Sequence, residues 1–137
     1  MKPLSISATA VSPAVKFDPK NRIFEMSGYS RPENVRDFYF PLVQWIEDYK
    51  NELVRSNTTI STKDPISFKF KFVYFNSSSA KFIYDIVILL NEFSRVNLPV
   101  KIYWYYDEDD DELREAGEEL SEMANVPFLY IETKKTE

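Results

Sequence analysis

An alternating strand pattern runs directly into an apolar helix pattern in the middle of this chain. From Ile66 to Phe75, aromatic and aliphatic residues alternate with more polar ones, as in a half-buried strand. From 82 to 93, apolar residues recur at helical spacing in two stripes, and Asp85 is the only charge between Phe82 and Leu90. The pattern predicts a sheet that covers one stripe, while a neighbouring helix or a partner protein covers the other.

The other segments extend this pattern to the order β-β-β-α-β-α-β-α-β. The turn sequence Asp18-Pro19-Lys20-Asn21 predicts a hairpin between the second and third strands. A long helix with its apolar face between Val35 and Leu53 is expected to start at Ser30 or Arg31, and Pro41 should kink or restart it. The remaining predicted elements are strands at 4–8, 14–17, 22–26, 100–106 and 128–132, and a last helix that ends before Pro127 and approaches the sheet closely at Gly117.

Because strands and helices alternate in the second half, we expect an α/β fold with a mixed, mostly parallel sheet and helices packed on it. A chain of 137 residues is long enough to bury a core without disulfides, and we expect residues 1–137 to form a single domain.

The composition excludes several classes of chemistry. The chain has no cysteine and no histidine, which rules out disulfides, thiolate or imidazole zinc sites and Ser-His-Asp catalysis. Its two glycines provide no glycine-rich phosphate loop. We therefore expect a protein that is not an enzyme, with no catalytic residues, no metal site and no cofactor.

The charge and hydropathy patterns also bear on partners and location. The formal net charge of −5 disfavours binding to nucleic acid or to an anionic membrane surface, since both need concentrated Lys and Arg. The N-terminus lacks the apolar core of a signal peptide, and no apolar run is long enough for a membrane span. A cytoplasmic protein is expected. The aromatic run from Tyr103 to Tyr106 is interpreted as sheet core and not as a platform for bases.

A run of hydroxyls, Asn76-Ser77-Ser78-Ser79-Ala80-Lys81, lies at the junction between the central strand and helix. Such residues can cap the unpaired N–H groups of a helix start. Alternatively, a serine there can carry phosphate, because the positive end of the helix dipole favours an anion. A third use is an anion site for a small ligand. The residues alone leave these uses open.

An acidic run, Asp107-Glu108-Asp109-Asp110-Asp111-Glu112, precedes the last helix. It lacks the glycine that an EF-hand loop needs at its sixth position. The run is interpreted as a solvated loop whose carboxylates favour the following helix N-terminus, or as an acidic lip that binds a partner.

Several segments together resemble the SiaC family of bacterial regulatory phosphoproteins. They are Phe17-Asp18-Pro19, Gly28-Tyr29-Ser30-Arg31-Pro32-Glu33-Asn34, residues 38–49, Tyr74-Phe75-Asn76-Ser77-Ser78-Ser79-Ala80-Lys81, and the acidic run followed by Glu115-Ala116-Gly117-Glu118-Glu119. The resemblance covers nearly the whole chain and implies a fold similar to the STAS domain of anti-anti-sigma factors.

The resemblance also implies a function. In such proteins a Ser/Thr kinase phosphorylates a hydroxyl at a helix start and a phosphatase removes the phosphate. The unphosphorylated form binds a cytoplasmic effector, in the best-described case a diguanylate cyclase whose activity it promotes. Carried onto this chain, the acceptor is Ser77, with Ser78 as the alternative.

The partner contact is then expected around the acceptor. The residues expected to form it are Asn76, Ser79, Lys81, Phe82, Asp85 and Leu89. The rival hypothesis is a scaffold without a switch, which docks a basic partner through its acidic loop. The aromatic faces leave a homodimer open.

Overall fold

The computed structural model describes residues 1–134, which form six strands and three helices. The strands are β1 (Leu4–Ile6), β2 (Ala14–Asp18), β3 (Ile23–Ser30), β4 (Ile66–Phe75), β5 (Val100–Asp107) and β6 (Phe128–Thr133), and the helices are α1 (Val35–Arg55), α2 (Ser77–Arg95) and α3 (Asp111–Ala124).

All six strands join one sheet in the order β1-β2-β3-β4-β5-β6. The first three strands are antiparallel neighbours, and β3 to β6 are parallel. The predicted α/β class, mixed sheet and element order are therefore confirmed. The hairpin between β2 and β3 turns as expected, with the Asn21 side-chain amide donating to Asp18 at 2.7 Å. This bond holds the pKa of the Asp18 carboxyl below its usual range.

The two faces of the sheet differ in character. Phe24, Phe68, Ile102 and Phe128 lie side by side across four strands, and all are buried. The next row, which points to the opposite face, is less buried and contains Glu25, Lys69, Tyr103 and Leu129. The core therefore lies on one face of the sheet, between the strands and the helices.

Helix α1 begins later than the sequence predicts. Its N-cap is Asn34, whose side chain accepts the Asp37 N–H at 3.1 Å, and not Ser30 or Arg31. Ser30 instead ends β3 and is fully buried, because its hydroxyl joins a hydrogen-bond network in the core. The predicted start at Ser30 or Arg31 is wrong.

Of the two alternatives predicted at Pro41, a kink or a restart, the restart is wrong, since α1 runs through this residue as one helix. Proline removes one backbone hydrogen bond, but the buried side chains of Tyr39 and Leu42 anchor the helix on either side of it.

Of the two alternatives for the second apolar stripe of α2, a neighbouring helix covers it, and this helix is α1. The Phe82 ring stacks on Tyr39 of α1, with ring centroids 5.5 Å apart, and the ring centroids of Phe93 and Tyr49 are 6.3 Å apart. On the other side, α3 lies close to the sheet at Gly117, where an added Cβ would overlap the Trp104 indole ring. The expected close approach at Gly117 is confirmed.

Within residues 1–134, none of the three helices has the length and apolar character needed to cross a membrane.

Candidate functional site

The serine run forms the first turn of α2. Asn76 is the N-cap, and its side-chain oxygen accepts the Ser79 N–H at 2.9 Å. Ser77, Ser78 and Ser79 are therefore the first three helical residues and do not cap the helix. The helix begins five residues before the apolar pattern that starts at Phe82, because Asn76 caps it at the end of β4.

The Ser79 side chain lies in the core. It is fully buried, and its hydroxyl donates to the backbone oxygen of Ser30 at 3.0 Å. The Ser30 hydroxyl in turn donates to Ser79 Oγ at 2.8 Å. Since that hydroxyl has one proton, Tyr39 must be the donor in its 2.5 Å hydrogen bond with Ser30 Oγ.

We call Tyr39, Ser30 and Ser79 the hydroxyl relay. It joins α1, the end of β3 and the first turn of α2, and the backbone N–H of Asn76 also donates to the Ser30 oxygen at 3.0 Å. Burial raises the pKa of Tyr39 to about 12. The relay thus keeps a neutral phenol in the core and fixes the position of the α2 N-terminus.

Ser77 and Ser78 are exposed, unlike Ser79. Within residues 1–134, the backbone N–H groups of Ser77 and Ser78 have no acceptor, and the first turn of α2 contains no acidic residue. Unpaired N–H groups at the positive end of a helix dipole favour an anion. A phosphate on either hydroxyl would therefore meet a favourable local field.

Two grooves border these serines. The first, between α1 and α2, has a volume of about 610 Å³, and Arg36, Phe40 and Lys81 are among its lining residues. The second, between α2 and α3, has a volume of about 360 Å³, and Met123 is among its lining residues. Ser77 lines both grooves, whereas Ser78 lines only the first.

Two cations and two apolar side chains stand out at these grooves. The Arg36 guanidinium lies 4.8 Å from the centroid of the Phe40 ring, and Lys81 Nζ lies 5.1 Å from that of Phe82. Phe40 is 53% exposed and Met123 is 67% exposed. The grooves can therefore offer a partner apolar contact area and two positive charges next to the serines.

The predicted contact residues lie at different depths. Lys81 is exposed, Asn76 and Asp85 are half-buried, and Ser79, Phe82 and Leu89 are buried. An exposed face containing Phe82 and Leu89 is thus not observed, because both side chains pack into the core. The stripe of α2 that reaches solvent contains Ser78, Lys81, Asp85 and Ile88.

Sequence reasoning did not identify Arg36, Phe40 and Met123 as site residues. Phe40 carried a usable signal, since it falls outside the apolar stripe of α1 and a large ring there must face solvent or a partner. Arg36 and Met123 had no such signal, because they reach the site only through helix packing.

The acidic run caps helix α3 and forms its first turn. The Asp110 side chain caps this helix by accepting the Leu113 N–H at 2.9 Å, and Asp111 and Glu112 lie in its first turn. The predicted role at the helix N-terminus is confirmed. In the part of the chain that the structure describes, no group of acidic side chains is arranged to hold a metal ion.

Comparisons with known proteins find similarity over most of the chain. The family model of SiaC family regulatory phosphoproteins matches residues 6–133. An uncharacterized protein of Pseudomonas aeruginosa (strain UCBPP-PA14) is 30% identical over 128 residues, which cover 93% of this chain and 94% of that protein.

Solved structures are similar over nearly the whole chain. The crystal structure of apo-SiaC from Pseudomonas aeruginosa is 27% identical, with a TM-score of 0.77 and coverage of 97% of this chain and 99% of that one. A chain in the crystal structure of the diguanylate cyclase SiaD in complex with its activator SiaC, from the same organism, is 26% identical, with a TM-score of 0.77 and coverage of 96% and 99%.

Proposed function

The chain belongs to the SiaC family of regulatory phosphoproteins, and we propose that it is a phosphorylation-controlled partner-switching regulator. In this proposal the unphosphorylated form binds and controls a cytoplasmic effector, and phosphorylation releases it. The similar chain in the complex of the diguanylate cyclase SiaD with its activator SiaC supports a diguanylate cyclase as the effector class. The protein itself performs no chemistry, and a Ser/Thr kinase and a phosphatase set its state.

The proposed acceptor is Ser77, with Ser78 as the alternative. One observation carries this assignment: of the three serines at the start of α2, these two have exposed hydroxyls, while Ser79 is buried in the hydroxyl relay. Ser77 is favoured because it borders both grooves, so that a phosphate there changes both surfaces.

The proposed contact surface is the solvent-facing part of the α2 N-terminus with its two grooves. Lys81 and Asp85 touch the effector directly, while Asn76, Ser79, Phe82 and Leu89 hold the first turns of the helix in place beneath it. Phe40 and Met123 add apolar contacts on either side.

Electrostatics provides the switch. A phosphate adds a charge of about −1.5 to −2, which the free N–H groups of Ser77 and Ser78 and the cations of Arg36 and Lys81 can hold without unfolding the helix. The same cations are then no longer available to the effector, and the apolar fit beside them is lost. A change of about 3 kcal/mol at this contact would alter the affinity roughly a hundredfold.

The first test is the intact mass of the protein isolated from its native cells, followed by fragmentation that places any added phosphate. Phosphate on Ser77 or Ser78 supports the proposal. A chain that stays unmodified, even with a co-encoded kinase and ATP, would contradict it and favour the scaffold that docks through its acidic loop.

Matched variants separate the acceptor from its neighbours. If Ser77 is the acceptor, Ser77→Ala should abolish phosphate incorporation and retain effector binding. If Ser78 is the acceptor, Ser78→Ala should have this effect instead. Ser94→Ala, at the exposed far end of the same helix, is the control and should change neither. Incorporation that survives the combined Ser77→Ala and Ser78→Ala change would contradict the assignment.

A further inference from the structure

The sheet has one face that no helix of residues 1–134 covers. The side chains of β2 to β6 that alternate with the buried core residues point to this face. We call it the open face. It lies opposite the helix layer, so it is a different surface from the serines and grooves at α2.

Lysines gather on the open face although the chain is acidic overall. Lys16, Glu25 and Lys69 lie directly opposite one another on three neighbouring strands. On β5, Lys101 pairs with Ser67 and is therefore a diagonal neighbour of Lys69. The other carboxylates of this face, Asp18 and Asp107, lie at strand ends, where they already bond Asn21 and Thr133.

One lysine of this face already binds a carboxylate. Lys71 Nζ lies 3.2 Å from Glu25 Oε1 and 5.0 Å from the centroid of the Tyr105 ring. Lys69 and Lys101, by contrast, make no ion pair within the described residues 1–134. Within residues 1–134, the open face thus has one lysine paired with a carboxylate and three, Lys16, Lys69 and Lys101, without such a pair.

Apolar side chains flank the lysines. Tyr103 lies between Lys69 and Leu129 across the strands, and Tyr105 pairs with Ile131. Leu129 is 44% exposed. A partner that fits this surface carries acidic groups beside apolar ones.

Charge distinguishes among the classes of partner. Two copies packed open face to open face would bring lysine rows together, which is unfavourable. Nucleic acid needs many phosphate contacts, and this face has few cations, no arginine and a glutamate among them. We propose that the open face docks an acidic, amphipathic polypeptide segment of a protein partner, whose carboxylates pair with Lys69 and Lys101 and whose apolar side chains cover Tyr103 and Leu129.

The test measures binding of the full chain to two dye-labelled probes by fluorescence anisotropy. One probe is a helical peptide whose glutamates and leucines lie in adjacent rows, so that both can contact the open face, and the second is an oligothymidine of equal charge. The peptide should bind, and Lys69→Glu with Lys101→Glu should weaken it roughly tenfold or more. The control, Lys20→Glu with Lys63→Glu, makes the same charge change at exposed turn and loop positions and should leave binding unchanged.

Each outcome supports the proposed partner of the open face or rules it out. No binding of the peptide, or an equal loss in the control, overturns the proposal, and tighter binding of oligothymidine assigns the face to nucleic acid instead. A dimer in sedimentation velocity that the Lys69 and Lys101 changes abolish would assign it to a second copy. Lys69→Gln with Lys101→Gln repeats the test with neutral side chains in case the glutamates disturb folding. Phosphate incorporation at Ser77 or Ser78 reports the proposed switch separately, so the two proposals can fail independently.

Discussion

At the residue scale, three identical side chains have different roles because of helix phase. Ser79 lies on the same stripe of α2 as Phe82 and Ile86, so it enters the core, while Ser77 and Ser78 point to solvent. Extending the apolar stripe back by one turn would have predicted the burial of Ser79 from sequence. The hydroxyl relay could not be predicted, because Ser30 and Tyr39 meet Ser79 only through the packing of three elements.

Removing the Tyr39 hydroxyl should destabilise the fold. Tyr39→Phe leaves the ring in place but takes the donor away from the buried Ser30 hydroxyl. We expect the free energy of unfolding to fall by about 1–2 kcal/mol in urea denaturation. Tyr29→Phe is the control, since this exposed hydroxyl makes no hydrogen bond within residues 1–134, and its stability should be unchanged. Equal stability of both variants would show that the relay contributes nothing.

The same residue predicts a loss of stability at high pH. The pKa of Tyr39 is about 12 in the fold, against an ordinary value of 10.0. Below pH 10 the phenol is neutral in both states and its contribution to stability is complete. As the pH rises toward 12, the unfolded chain loses the proton first, so stability falls by up to roughly 3 kcal/mol.

Urea denaturation below pH 10 and again near pH 12 measures this loss. Tyr39→Phe should show a smaller decrease than the unchanged protein. Any decrease in the free energy of unfolding that the variant still shows comes from other groups, including Tyr49 and Tyr130, whose pKa values burial also raises. An identical pH profile for both proteins would rule out Tyr39 as the source.

At the element scale, sequence patterns located strands better than helix starts. The bounds of β4 match the alternation from Ile66 to Phe75, because the core covers one face of a strand and leaves a period of two. Helix starts depend on one capping side chain, and several polar residues precede both α1 and α2. Asn34 and Asn76 are the caps. For α1, the proline at position 32 instead favours Ser30 or Arg31 as the start.

The contact between α3 and β5 makes Gly117 necessary. An alanine should favour the helix by up to about 1 kcal/mol, but its Cβ would overlap the Trp104 ring. That ring cannot easily move, because Nε1–H donates to the Leu113 oxygen at 3.0 Å and the ring stacks on Phe128. We expect Gly117→Ala to lower the free energy of unfolding by about 1–3 kcal/mol.

Urea denaturation again provides the measurement, with Glu115→Ala as the control on the exposed face of the same helix. This control should remain close to the unchanged protein. A Gly117→Ala variant as stable as the control would mean that the helix can shift away from the ring at little cost.

At the scale of the whole molecule, the fold class followed from the sequence but the two surfaces did not. Strand and helix alternation predicted a mostly parallel sheet, which the structure confirms. The lysines of the open face also alternate visibly along β4. They become one surface only when Lys16, Lys69 and Lys101 are brought together by the registers of four neighbouring strands, and no segment of sequence specifies those registers alone.

The way the sheet is built predicts how the molecule opens. Strand β4 is paired on both sides and is buried along one face, so its amides should exchange hydrogen slowest. Strand β1 pairs through three residues at the edge, and its amides should exchange fastest among the strands. NMR-detected hydrogen exchange measures both rates, and equally slow exchange in β1 would contradict this gradient.

The hydroxyl relay extends this rigidity to the proposed switch. The Ser79 amide, held by Asn76 on a turn that the relay ties to β3, should exchange slowly, whereas the Ser77 and Ser78 amides should exchange fast. In Ser79→Ala, which removes the tie to Ser30, protection at the Ser79 position should decrease while that of β4 is retained. Because the exposed serines are then carried by an ordered first turn, a phosphate placed on them would change the charge of the surface and leave the helix folded. Fast exchange at Ser79 in the unchanged protein would instead indicate a first turn that opens readily, and a phosphate could then act by melting it.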